Sequence, residues 1–157
     1  MRVGIGYDVH PLKAGRDLIL GGVRIDHAAG LDGHSDADVL THAVIDALLG
    51  AAALGDIGKF FPSDDPKFEG ASSLDLLSTA ADAVRAAGYR VVNIDSTVIA
   101  EAPRLQAHLL EMKDTIARCL TIDAGRVSVK ATSPEGLGAL GHREGIAAQA
   151  VAVVEET

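Results

Sequence analysis

Apolar and polar positions alternate strictly from Arg2 to His10. Val3, Ile5, Tyr7 and Val9 share one side and Arg2, Gly4, Gly6, Asp8 and His10 the other, which is the two-residue period of a strand. Asp8 and His10 therefore project together, with Gly4 and Gly6 expected to leave that side uncrowded. Two short apolar runs, Leu18 to Leu20 and Val23 to Ile25, flank Gly21-Gly22, a pair suited to the positive φ of a primed turn, and predict a β-hairpin. Ser35-Asp36-Ala37-Asp38 reads as a capping box with Ser35 as N-cap. Leu40, Ala43, Val44, Ala47, Leu48 and Ala51 follow at helical spacing.

Gly58, Pro62, Pro66 and Gly70, interleaved with Asp64, Asp65 and Lys67, predict a mobile, lid-like loop over residues 55 to 71. A second helix is expected to open at Ser72 and Asp75, bury Leu74, Leu77, Ala81 and Val84, and end at Gly88. Tyr89 to Ala100 reads as a strand. A third helix, with Pro103 in its first turn, turns Leu105, Leu109, Met112, Ile116 and Leu120 inward, and Arg126 to Thr132 alternates as another strand. Gly145 to Val154 is apolar on both faces and must be covered on both sides. The expected fold is α+β: a single domain over residues 1–157 with one mainly antiparallel or mixed sheet and helices on one face. A symmetric oligomer packing sheet against sheet would cover the other face.

Composition narrows this further. With 3% aromatic residues and no Trp, the core must be built from Ala, Val, Leu and Ile. A net charge of −8 argues against nucleic acid held by counterion release, and an anionic small substrate would need a metal or local donors. The single cysteine, Cys119, rules out an intrachain disulfide framework; among Ile116 and Leu120 it reads as a small apolar residue, not a nucleophile. No stretch of about 18 apolar residues and no secretory h-region occur, so neither a membrane span nor export is expected, and a cytoplasmic location is the expectation.

Three places carry candidate chemistry. Asp8-Val9-His10 places a carboxylate and an imidazole on one side of a strand, where both can bind one cation or simply face water. His42 lies on a helix between Asp38 and Asp46 at four-residue spacing, an acidic stripe suited to orienting a ligand histidine. Asp8, His10 and His42 would form a three-ligand site with an open position, and its nitrogen content favours Zn²⁺ or a neighbouring transition metal. His34 and Ser35, at the expected helix start, can dock a phosphate. Lys130-Ala131-Thr132-Ser133-Pro134-Glu135 offers hydroxyls for phosphate, and Glu135 suits a second, harder ion between them. Gly136-Leu137-Gly138-Ala139-Leu140-Gly141 matches a dinucleotide fingerprint, but only sixteen residues follow, too few for that fold, so it is a glycine-rich turn.

Several ordered motifs make a resemblance. They are Gly4-x-Gly6-x-Asp8-x-His10, Leu31-x-x-His34-Ser35-Asp36-x-Asp38-x-x-x-His42, Ala53-Leu54-Gly55-Asp56-Ile57-Gly58, Phe61-Pro62-x-Asp64, Ile99-Ala100-Glu101-Ala102-Pro103, Lys130-Ala131-Thr132 and Glu144-Gly145-Ile146. Over essentially its whole length the chain resembles the 2-C-methyl-D-erythritol 2,4-cyclodiphosphate synthase family of the non-mevalonate isoprenoid pathway. The resemblance implies a metal-dependent phosphorus–oxygen lyase. It converts 4-diphosphocytidyl-2-C-methyl-D-erythritol 2-phosphate into the cyclic diphosphate and CMP, in a homotrimer with active sites between subunits.

It further implies Zn²⁺ at Asp8, His10 and His42, and Mg²⁺ or Mn²⁺ at Glu135, bridging the substrate diphosphate. Asp56, Ile57 and Gly58 would hold the ribose. Phe61, Pro62, Ser63, Asp64 and Asp65 would form a flap. Ala100, Pro103, Arg104, Leu105 and Gln106, with Ala131 and Thr132, would hold cytidine. His34 and Ser133 would stabilise the transition state, beside Ser35 and Pro134. Ala139 and His142 belong to a segment lining a cavity on the trimer axis that accepts an isoprenoid diphosphate in the family. Here Ser133 replaces the usual Thr, Arg104 the commoner Lys and Ala139 a frequent Phe, and the arginine of Gly-Arg-x-Glu-Gly is displaced to Arg143. Two other functions remain open at this stage: a trimeric metal- or isoprenoid-diphosphate-binding module, and a metal-dependent phosphohydrolase.

Overall fold

The expected alternation of Arg2 to His10 is realised as part of a longer strand, β1 (Arg2–Ala14), in a computed structural model that describes residues 1–157. β2 (Leu18–Leu20) and β3 (Val23–Ile25) form the predicted hairpin, with Gly21 and Gly22 at φ +58° and +74°. Then come β4 (Ala29–Leu31), α1 (Val39–Ala51), α2 (Ile57–Phe60), α3 (Ser73–Ala86) and β5 (Tyr89–Ile99). The chain ends with α4 (Leu109–Leu120), β6 (Val127–Thr132), α5 (Gly138–Gly141) and β7 (Gly145–Glu156).

The main sheet has the order β4-β1-β7-β5-β6 and is mixed: β5 and β6 run parallel, every other pair antiparallel. The fold is α+β, as expected. α1 lies along β1 and β7, α3 packs on α1, and α4 packs on β6, so the long helices share one face of the sheet. β7 is the central strand, and its Ile146, Ala148, Ala150, Ala152 and Val154 face that helical layer in one continuous apolar core. No helix is long and apolar enough to cross a membrane.

β1 packs with its small side inward. A Cβ on Gly4 would sit 2.0 Å from the Ala47 carbonyl oxygen, and one on Gly6 would sit 2.0 Å from that of Ala43. That side is therefore crowded, contrary to expectation, because α1 rests directly on the glycine backbone. Gly6→Ala must push helix from strand and is expected to cost about 3 kcal/mol or more; urea unfolding of the two proteins measures it. The apolar side faces away from the core, with Val3 67% and Ile5 63% exposed beside Tyr7, Val9 and, on β7, Val151.

Helix boundaries differ from expectation where side chains found other partners. α1 is capped by Asp38, not Ser35, because Ala37 takes φ +57° and breaks any helix before it. The Asp38 carboxylate is buried yet satisfied by the backbone N–H groups of Thr41, Gly21 and Gly22 and the Thr41 hydroxyl. This helix N-terminus is thus already filled by a carboxylate and is no phosphate dock. The loop over 55 to 71 contains α2 and a 3₁₀ turn at Pro66–Phe68, capped by Asp56 and Asp65. In α3, Leu76 is buried where Leu74 was expected; Gly88 takes φ +86° beyond its end. Pro103 lies outside α4, which starts six residues later at Leu109.

Candidate active site

β1 delivers Asp8 and His10 from its inward side, and α1 delivers His42 one residue before Ala43, whose carbonyl abuts Gly6. His42 Nδ1 lies 3.0 Å from Asp8 Oδ2 and 3.2 Å from His10 Nε2. His10 Nε2 lies 3.0 Å from the same carboxylate oxygen. The three candidate ligand atoms fall within 4.8 Å of one another.

The outer ring nitrogens decide what this cluster presents. His10 Nδ1 donates to the Asp32 carbonyl oxygen at 3.0 Å. His42 Nε2 lies 2.8 Å from Ser73 Oγ and 3.1 Å from Ser35 Oγ. The Ser73 hydroxyl donates to the Asp36 carboxylate, so it can only accept from His42. Both neutral rings thus carry their proton outward and aim a lone pair inward, beside the Asp8 carboxylate. Three acceptors converging with no donor among them are chemically suited to a divalent cation.

Ser73, Ser35 and Asp36 orient His42, not the expected stripe of Asp38 and Asp46. Asp46 instead accepts from the Ile57 backbone N–H at 2.7 Å, and partial burial pushes its pKa up. Asp36, Asp38, Asp46 and Asp56 all receive backbone N–H groups, so most of the acidity near the site is structural.

Burial opposes charge on Asp8, yet a His10 or His42 ring that carries a proton on its inner nitrogen donates to it, and so holds its carboxyl well below the usual range. Burial also disfavours charge on His10, but Asp8 and Asp32 outweigh it and raise the His10 pKa. A proton on His10 therefore competes with a metal near neutral pH. Metal affinity is expected to rise about tenfold per pH unit up to that raised pKa and then level off. Calorimetry at pH 6 and pH 8 in buffers of different ionisation enthalpy would show more proton release on metal binding at the lower pH.

The triad opens into a cavity of about 220 Å³ that also contains His34, Ser35, Ile57, Gly58, Phe61 and Ser63. His34 Nε2 lies 3.0 Å from the Asp65 carbonyl oxygen, which ties the segment before α1 to the one after α2. Phe68 and Leu76 complete the wall. Neither was anticipated; both are ordinary apolar residues until the chain folds. Asp56, Pro62, Asp64 and Asp65 do not line this cavity.

A separate cavity of about 370 Å³ gathers Ala100, Glu101, Pro103, Arg104, Leu105, Gln106, Ala131 and Thr132, from the two segments expected to meet, together with Ser133. Glu101 accepts from the Ser133 hydroxyl at 2.9 Å and from the Gly136 N–H at 3.2 Å, and Ser133 Oγ accepts from the Glu135 N–H. Glu101 thus organises the turn, with Glu135 at φ +55° just after Pro134 and exposed. Strand register puts Val9, Ala147, Ile99 and Thr132 in one row across the sheet. The two cavities therefore share an end of the sheet but are centred three strands, roughly 14 Å, apart. Ala139 joins Val9, His10 and Pro11 around a third cavity of about 280 Å³, whereas His142 is exposed at the end of α5 and does not line it.

Comparison with known proteins places this arrangement. The model of the YgbB family matches residues 1–155. The chain belongs to the YgbB family. A 2-C-methyl-D-erythritol 2,4-cyclodiphosphate synthase of Syntrophomonas wolfei is 57% identical over 156 residues, 99% of either chain. The bifunctional IspDF from Campylobacter jejuni matches with a TM-score of 0.96 at 44% identity, over 99% of this chain and 42% of that one. A CDP complex of Plasmodium falciparum IspF matches with a TM-score of 0.87 at 31% identity, over 99% of this chain and 96% of that one. The YgbB family fold thus extends over the whole sheet and every residue of both cavities.

Proposed function

We propose that the chain is a 2-C-methyl-D-erythritol 2,4-cyclodiphosphate synthase and that residues 1–157 form its single catalytic domain. The observation that carries this reading is the triad of Asp8, His10 and His42, aimed into a cavity with His34, in a chain alike over its full length to named synthases. The reaction is an intramolecular displacement. An oxygen of the substrate's 2-phosphate forms a bond to the β-phosphorus, the bond from that phosphorus to the bridging oxygen breaks, and CMP departs with the α-phosphate.

No protein nucleophile is required, and none is offered. Burial pushes the Cys119 thiol pKa up, and Cys119 donates to the Leu74 carbonyl away from both cavities. The protein's work is to hold the chain of the substrate bent and to stabilise spreading negative charge. Asp8, His10 and His42 would hold Zn²⁺, and Glu135, an exposed carboxylate, suits Mg²⁺ or Mn²⁺ bound mainly by substrate phosphate; these ions would supply Lewis-acid stabilisation of the phosphoryl charge. His34 and Ser133 would stabilise phosphate charge by turning to it the protons that here meet the Asp65 carbonyl and the Glu101 carboxylate. Asp56 and Gly58 would hold the ribose, and the cavity from Ala100 to Gln106 with Ala131 and Thr132 the cytosine.

The two cavities point to a shared site in a homotrimer, because the cytidine cavity and the triad are centred some three strands apart within one chain. The exposed Val3, Ile5, Tyr7 and Val9 offer the apolar face on which copies would meet. Phosphorus NMR on the cytidyl substrate tests the reading. Cyclic diphosphate with CMP supports it; inorganic phosphate would instead indicate a hydrolase, and no turnover a binding module.

A further inference from the structure

The segment from Leu31 to Asp36 holds the triad from outside. Its Asp32 carbonyl accepts from His10, a Cβ on its Gly33 would lie 3.0 Å from His10 Cε1, and its Ser35 hydroxyl meets His42. This segment is neither helix nor strand beyond Leu31, so several of its carbonyls have no ladder partner. Arg16, in the turn after β1, supplies them. Its Nε donates to the Leu31 carbonyl oxygen at 3.2 Å, and one terminal nitrogen reaches those of Gly33 at 3.3 Å and Ser35 at 3.2 Å. Its other terminal nitrogen lies 3.7 Å from the Asp32 carboxylate.

We infer that Arg16 is a positioning residue of the metal site: its guanidinium clamps the Leu31 to Ser35 carbonyls and so sets how His10 and His42 meet the ion. The inference rests on the triad being a metal site. Only a planar fork of five donors can serve three carbonyls in different directions; a lysine ammonium in the same place is a single point on a flexible stem. Gly30 permits the approach, since a Cβ there would sit 2.0 Å from the Asp17 carbonyl oxygen. Lys13 provides a natural control, because it touches the other Asp32 carboxylate oxygen at 3.3 Å and none of the segment's carbonyls.

Cobalt(II) titration of the metal-free full chain, followed by visible absorption, tests this. Lys13→Ala should bind Co²⁺ like the wild type. Arg16→Ala should bind at least about tenfold more weakly, with displaced ligand-field bands, and Arg16→Lys should fall between them. Thermal melts identify any variant that fails to fold, in which case Arg16→Lys alone decides. Wild-type affinity and band positions in a folded Arg16 variant would overturn the role of Arg16. A wild-type protein that takes up no Co²⁺ would overturn the metal site itself, and this role with it.

Discussion

Asp8→Ala protein is expected to fold and assemble like the wild type, to retain no Zn²⁺ after purification, and to form cyclic diphosphate at least about 10³-fold more slowly. The magnitude follows from the chemistry. Removing one of three ligands, the only anionic one, leaves two neutral imidazoles and forfeits several kcal/mol of charge stabilisation in the transition state, at 1.36 kcal/mol per tenfold in rate. The fold should survive because Asp8 is half-buried at the cavity mouth and its partners are side chains, not backbone. His42→Ala should match it in activity but melt lower, since it leaves a cavity in a buried place and takes one hydrogen bond each from Ser35 and Ser73, which keep their bonds to the Ala37 N–H and to Asp36. Elemental metal analysis beside turnover of the cytidyl substrate makes the check. Full activity in a metal-free Asp8→Ala preparation would remove the triad from the mechanism.

The second large effect concerns assembly. Ile5→Glu places a carboxylate in the middle of the exposed apolar face of β1. In a trimer that packs these faces together, three such charges would be buried near one another without partners, a cost of several kcal/mol each. The chain should sediment as a folded monomer, because the substituted side chain points away from the core. Its activity should fall by about a hundredfold or more as the cytidine cavity loses the neighbouring triad. Sedimentation velocity with circular dichroism and turnover settles the outcome. A trimer of normal activity carrying Ile5→Glu would show that copies meet elsewhere.

Much of this was legible before folding wherever a period and a chemical type coincided. The alternation of β1, the Gly21-Gly22 hairpin and the apolar stripe of α1 each obey one local rule, and Asp8, His10 and His42 stand out as metal-ligand types placed on regular elements. Legibility failed where a local rule had two solutions. Ser35 and Asp38 are both good N-caps; Asp38 prevails because the hairpin N–H groups of Gly21 and Gly22 need the same carboxylate, a contact no local window contains. Ser73 went unnoticed because a serine at a helix start is commonplace and its partner lies 31 residues away; Glu101 was legible within a motif, but its bond to Ser133, 32 residues on, was not.

The sequence by itself determined which groups can bind a cation, that two of them share one side of a strand and that the third sits on an amphipathic helix. Only the tertiary structure decided that helix and strand meet closely enough for one ion to reach all three. The physical reason lies in Gly4 and Gly6. Lacking Cβ atoms, they let the backbone of α1 settle on that of β1 and bring His42 to 3.0 Å from Asp8. The same packing made the glycine side of β1 the interior and its valine, isoleucine and tyrosine side the surface.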